Sequence, residues 1–238
     1  MLKLQIVDMW LTNNRPRKKL DPKGICIHWT ANTNKGANAK ANRNYFENHP
    51  KIYASAHYVV DDTYIVRCIP EDEIAWHCGG ERNTELANRL FGGKQNNYLI
   101  GIEMCVNSDG NWEETYKNSV WLVADILKRH NWGIDKIYRH HDMTGKDCPK
   151  MMTKFISGGE KYYQKFKNDV NTLLYKEELI DMAIEKWMEE SGIRSLDNLA
   201  NKGLINNAED WKKKLAEPIQ AWLLFTMLDR ITNTTNNK

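Results

Sequence analysis

Between Lys23 and Thr30 the chain alternates with a period of two. Ile25, Ile27 and Trp29 fall on one face of a predicted strand, Cys26, His28 and Thr30 on the other. Two β-branched and aromatic runs, Ser55–Val60 and Thr63–Ile69, flank Asp61-Asp62 and predict a hairpin. Tyr98–Val106 is nearly continuous in apolar residues, which predicts a central strand buried on both faces. Helical spacing replaces this pattern in three places: Ala37–Glu47, Trp112–His130 and Tyr162–Tyr175. In the longest of them Tyr116, Val120, Val123, Ala124 and Leu127 share one face. Strands interleaved with helices predict an α/β fold with a mixed central sheet flanked by helices.

After about Tyr175 no strand pattern remains. Glu177–Glu190 predicts an amphipathic helix stopped by Gly192, and Ser195–Lys202 a short helix closed by Gly203. Asn207 with Asp210 resembles an N-cap with an acidic first turn, and Pro218 a first helical residue of a last helix to about Ile231. The expected division is residues 1–174 and an all-α module at 175–238, with a disordered tail from Thr232.

Charge sharpens that division. From Glu177 onward 8 Lys/Arg face 11 Asp/Glu, a balance of −3, while the preceding residues carry 26 against 20, or +6. A mildly basic body suits an anionic partner such as a bacterial wall, without the dense basic patch that marks nucleic-acid binding. The longest apolar run, Ala221–Leu228, is short of the ~20 residues of a membrane span, so no membrane insertion is expected. The N-terminal segment lacks a signal-peptide pattern, and the five cysteines, an odd number, argue against a disulfide framework. Free thiols or a metal ligand are the expected states.

Two segments carry candidate chemistry. His28 ends the first strand, and Tyr138–Pro149 holds His140, His141 and Cys148 around a polar, Gly-containing loop. One distant His, one loop His and one Cys make a three-donor N/S set of the kind catalytic zinc uses, with its fourth position open. Spacing alone leaves such histidines as packed residues in most chains. Glu103 interrupts an almost wholly apolar strand and must be either paired with a Lys or Arg, such as Arg67, or a general base in a cleft.

The ordered series Ile25-Cys26-Ile27-His28-Trp29-Thr30, Ser55–Asp62, Ala75-Trp76-His77-Cys78-Gly79, Ile100-Gly101-Ile102-Glu103 and His140 through Lys146-Asp147-Cys148-Pro149 resembles the zinc N-acetylmuramoyl-L-alanine amidases of phage endolysins and bacterial autolysins, relatives of the peptidoglycan recognition proteins. The resemblance spans roughly Gly24–Lys154. It implies that His28, His140 and Cys148 bind Zn2+, that Glu103 activates water and that Lys146 faces the oxyanion. His57, Trp76 and His77 are candidate substrate-binding residues, against the plainer reading of strand packing and core. One departure stands out: many members carry a catalytic Tyr where this chain has Ala56.

The resemblance implies bacterial peptidoglycan as substrate, and the missing signal-peptide pattern predicts synthesis in the host cytoplasm, with action on the wall after release. A muropeptide-recycling amidase and a non-catalytic peptidoglycan receptor are the alternatives. For the helical module, Trp187, Trp211 and Trp222 are expected to fill mostly core positions. Its expected role is wall targeting. The alternative is a homodimer through C-terminal helices, because Leu223, Leu224, Phe225, Met227 and Leu228 cover more than one helix face.

Overall fold

The computed structural model describes residues 4–215 and residue 226. The chain divides into two compact units, Met1–Lys176 and Glu177–Lys238. The first holds six strands: β1 (Gln5–Asp8), β2 (Gly24–Trp29), β3 (Tyr58–Val60), β4 (Tyr64–Arg67), β5 (Leu99–Met104) and β6 (Ile137–Arg139). They form one sheet in the order β1-β4-β3-β5-β2-β6, in which β3–β4 is antiparallel and the other pairs are parallel. Its helices are α1 (Ala39–Asn48), α2 (Glu85–Phe91), α3 (Trp112–His130), α4 (His140–Thr144) and α5 (Gly159–Leu174).

Period-two alternation sends each central strand's side chains to two different layers. Ile25 and Ile27 of β2, Ile100 and Ile102 of β5, and Tyr58 and Val60 of β3 pack with Val120, Val123 and Leu127 of α3 and Phe166 and Val170 of α5. Burying such an aliphatic side chain contributes about 1.5–3 kcal/mol. The helix that covers this layer is well capped. Asn111 accepts from the backbone of Glu113 and Glu114, and Asn131 closes the far end in the left-handed region at φ 53°. On the opposite face Val59 and Val66 pack with Ala39 of α1. There Cys26 and Leu99 pack with Cys78, Ala87, Phe91 and Met143. His28 and Glu103 share that second face by parity.

The expected strands and long helices are present, with differences of physical interest. β1 and β6 were not predicted. β1 has four residues at a solvent-facing edge, and β6 three, too few to establish a period. The hairpin turns one residue later than expected. Asp61 is buried, its Oδ1 accepts from the backbone of Thr63 and Tyr64, and the turn is centred on Asp62-Thr63. The short α2, also unpredicted, starts at the Thr84 side-chain cap and ends at Gly92, φ 57°.

α6 (Lys176–Asn201), all but its first residue in the second unit, runs without a break through Gly192, where two helices were expected. The end of the Leu215 side chain packs over this glycine, with Cδ2 2.6 Å from where a Cβ would stand. Gly203, φ 67°, follows the helix as expected. α7 (Ala208–Lys212) follows Asn207, whose side chain makes no cap bond, because the residue sits in the left-handed region at φ 58°. Trp187 and Trp211 are exposed, against their expected core role. Trp222, the helix expected after Pro218 and the tail lie outside the described residues.

Candidate active site

Sheet register brings the candidate residues together. Parallel pairing sets His28 of β2 opposite Glu103 of β5, and Ile27 opposite Arg139 of β6. The chain enters α4 immediately after Arg139, which delivers His140 beside His28. Arg139 anchors that junction. Its buried guanidinium meets Asp142 at 2.6 Å and Glu160 at 2.9 Å, and lies 4.1 Å from the Tyr163 ring centre. Gly145, at φ 77°, ends α4, and the His141 N–H donates to the Cys148 carbonyl at 2.8 Å, folding the loop back so that Cys148 reaches the histidines.

The tautomers follow from the partners. A carbonyl can only accept, so His140 Nε2–H donates to Gly79 O at 2.7 Å and His77 Nε2–H donates to Leu99 O at 2.9 Å. His77 Nδ1 therefore accepts, and His28 Nε2–H donates to it at 2.9 Å. Burial first, then the neighbouring His140, His77 and Lys146, holds His28 well below the usual imidazole range. Burial likewise lowers His140 to about 4, despite the Gly79 bond and helped by Lys146. With both rings neutral, the Nδ1 atoms of His28 and His140 face each other, 3.1 Å apart, with lone pairs and no proton between them. Cys148 Sγ stands 3.7 Å from His28 Nδ1.

Two lone pairs aimed at one point are repulsive unless a cation lies between them. A tetrahedral zinc site has N···N edges of about 3.3 Å and N···S edges of about 3.6 Å, from bonds near 2.05 and 2.3 Å. The spacing of His28, His140 and Cys148 matches both edges. The far nitrogens of both rings are fixed, His140 Nε2 by the Gly79 carbonyl and His28 Nε2 by His77 Nδ1, which is the support that metal-binding histidines require.

Glu103 is half-buried, and its Oε2 is buried without a hydrogen-bond partner among the described residues. Desolvation raises its carboxyl to about 8, against the downward pull of Lys146. The structural partner weighed for it, Arg67, instead forms an ion pair with Asp8. Lys146 itself is exposed on the loop after α4.

The remaining predicted residues divide. His57 is fully buried and both its ring nitrogens are engaged by backbone: Nε2–H donates to Glu73 O, and Nδ1 accepts from Gly101 N, each at 2.8 Å. His77 is buried with both nitrogens engaged as above. Neither ring has a free nitrogen for a substrate. Trp76 is half-buried, packs edge-on to Tyr53 at 5.6 Å, and borders a cavity of about 410 Å³ with Gly79, Gly80, Asn83 and Lys94. Ala56 is buried and offers no polar group. His141 points elsewhere, its Nδ1 facing Lys146 O. Sequence reasoning gave no role to Gly79, whose carbonyl orients His140. Nor did it give one to Gly101, whose missing side chain makes way for His77: a Cβ there would stand 2.4 Å from the ring.

Residues 18–151 match the family described as N-acetylmuramoyl-L-alanine amidase. Over 150 residues the chain is 36% identical to the N-acetylmuramoyl-L-alanine amidase CwlH of Bacillus subtilis (strain 168), covering 61% of this chain and 56% of that protein. Over 141 residues it is 41% identical to a probable N-acetylmuramoyl-L-alanine amidase of Bacillus licheniformis, covering 57% and 39%. The chain thus spans about half the length, or less, of these curated relatives. The solved catalytic domain of XlyA aligns over 70% of this chain and 99% of its own, at 31% identity and a TM-score of 0.59.

Proposed function

The chain belongs to the N-acetylmuramoyl-L-alanine amidase family, and on that premise we propose that it hydrolyses the amide between N-acetylmuramic acid and L-alanine in bacterial peptidoglycan. The observation that carries this reading is the juxtaposition of two inward-facing imidazole lone pairs, a thiol at tetrahedral spacing and a carboxyl with one buried oxygen unpartnered among the described residues. His28, His140 and Cys148 hold the metal in this proposal. Zinc in that set supplies Lewis-acid activation of water and polarisation of the scissile carbonyl.

Glu103 takes a proton from the attacking water and returns it to the leaving amine of L-alanine. A carboxyl raised by burial and drawn down by nearby cations titrates near working pH, as both half-steps need. Lys146 sets a cation opposite the developing oxyanion. Ala56 cannot contribute, so Glu103 carries the proton transfers. His77 is a positioning residue, orienting His28, and His57 ties β3 to β5 beside it. Trp76 forms a wall of the substrate cleft.

For the second unit we infer wall targeting, supported by the exposed aromatic rings of Trp187 and Trp211 and its separate charge balance. Homodimerisation is the competing role. The enzyme acts at the cell wall after synthesis and release by its host. Among the described residues no helix is long and apolar enough to cross a membrane.

Mass spectrometry of products from purified walls tests the reading. New amino-terminal L-alanine and free lactyl carboxylates are expected. Cleavage at a glycosidic or interpeptide bond, with the lactyl amide intact, would contradict it.

A further inference from the structure

A second convergence of ligating atoms lies beside the proposed catalytic set. One atom each from Cys26, His28, His77 and Cys78 falls within 4.8 Å of all the others, and all four residues are buried. The two sulfurs are 3.6 Å apart, close to the edge of about 3.8 Å that two thiolates subtend on tetrahedral zinc. His77 Nδ1 and His28 Nε2 are 2.9 Å apart, and opening by about 0.4 Å would bring them to the corresponding N···N edge.

The surroundings are built for this arrangement. Cys26 pairs in register with Gly101, whose bare backbone leaves the notch that the His77 ring fills. The Leu99 carbonyl holds His77 Nε2–H and so aims Nδ1 away from the strand. Ala87, Phe91 and Met143 close an apolar shell around both sulfurs.

We propose that Cys26 Sγ, Cys78 Sγ and His77 Nδ1 form a second, buried site for a thiophilic divalent cation such as zinc or cadmium, with His28 Nε2 as fourth ligand. One imidazole ring then joins the two centres, Nδ1 to the first and Nε2 to the second. Loading the second site releases three protons: one from each thiol and one from His28 Nε2. The charges close. Two divalent cations face three thiolates, including that of Cys148, and one imidazolate, so the buried pair of centres is neutral overall and avoids an uncompensated charge. Thiolates select soft, thiophilic ions over hard ones. The inference depends on the proposed catalytic set only through the other nitrogen of His28.

Metal titration of the full-length protein carrying one zinc tests it. Added cadmium should bind a second equivalent, with thiolate-to-metal charge-transfer absorption and three protons released per ion. Cys26→Ala and Cys78→Ala should each abolish the second equivalent and retain the first, while magnesium should not compete. A stoichiometry of one at saturating cadmium would overturn the proposal. So would a second equivalent that persists in Cys26→Ala, or a parent protein lighter by two hydrogens because Cys26 and Cys78 are joined as a disulfide. Stoichiometry and proton release are read on the parent, so a variant that misfolds leaves the test standing. No readout uses peptidoglycan, which keeps this result separate from that of the amidase reading.

Discussion

Glu71 and Glu103 serve opposite faces of one sheet, and their surroundings push them in opposite directions. Burial raises Glu71, but bonds from Arg129, at 2.7 and 2.8 Å, from Tyr58 and from His130 bring it down to about 2. Glu103, desolvated on the other face with one oxygen unpartnered, rises to about 8. The same strands supply both faces. Where α3 covers the sheet, hydrocarbon packs and Glu71 is met by protein donors; where His28 and Glu103 emerge, a Glu103 oxygen is left without a partner among the described residues. A carboxylate fully met by protein donors serves the fold, and one left without them is available for chemistry.

The largest effect expected is at the ligand set. His140→Ala should remove stoichiometric zinc and abolish wall cleavage, as should a strong chelator, with recovery on adding zinc to the parent. Elemental analysis alongside activity checks this, and full activity in the variant would break the distinction between the faces. On the hydrocarbon face, Ile102→Ala removes a side chain one residue from Glu103 but turned into the core. It should lower unfolding free energy by about 2–5 kcal/mol while folded enzyme keeps its zinc and turnover. Denaturant titration and kinetics together read both.

The carboxylates give the smaller effects, and their signs differ. The folded-state preference of Glu103 for its neutral form stabilises the protein below about pH 4.5 and is lost as pH rises through about 8. Gln cannot ionise. Metal-free Glu103→Gln should therefore be more stable than the metal-free parent, the gain growing between pH 4.5 and 8 by up to about 1.4 kcal/mol per pH unit. Glu71 is depressed, so its contribution is full above about pH 4.5 and disappears as pH falls towards 2. Glu71→Gln should cost about 1–3 kcal/mol at neutral pH and flatten stability across that acid window. Thermal melts across pH separate the two patterns.

Much of this contrast was legible in the chain. Alternation around His28 located β2 and assigned that residue its face, a nearly continuous apolar run broken by Glu103 located β5, and helical spacing located α3. Period carries no information on which strands become neighbours, so the pairing of His28 with Glu103 and the arrival of His140 through β6 had to come from the three-dimensional register. β6 is too short for a pattern, yet it delivers a proposed ligand. His57 and His77 looked like cleft residues because polarity on a strand or loop does not reveal backbone partners. The second sulfur cluster had a signal: Cys26 shares the His28 face, and Cys78 follows His77. What hid it was the 52-residue separation between the two cysteines. Gly192 was misread because a glycine that ends a helix and one that a helix carries through are identical in sequence.

The central claim is that Glu103 is left unpartnered for proton transfer and not for folding or metal binding. Glu103→Gln, assayed for zinc content and cleavage of purified walls on the same preparation, tests it most directly. The account predicts one zinc per chain, an intact fold and turnover reduced by ~10²–10⁴. Normal turnover with zinc bound, or loss of zinc along with activity, would contradict it.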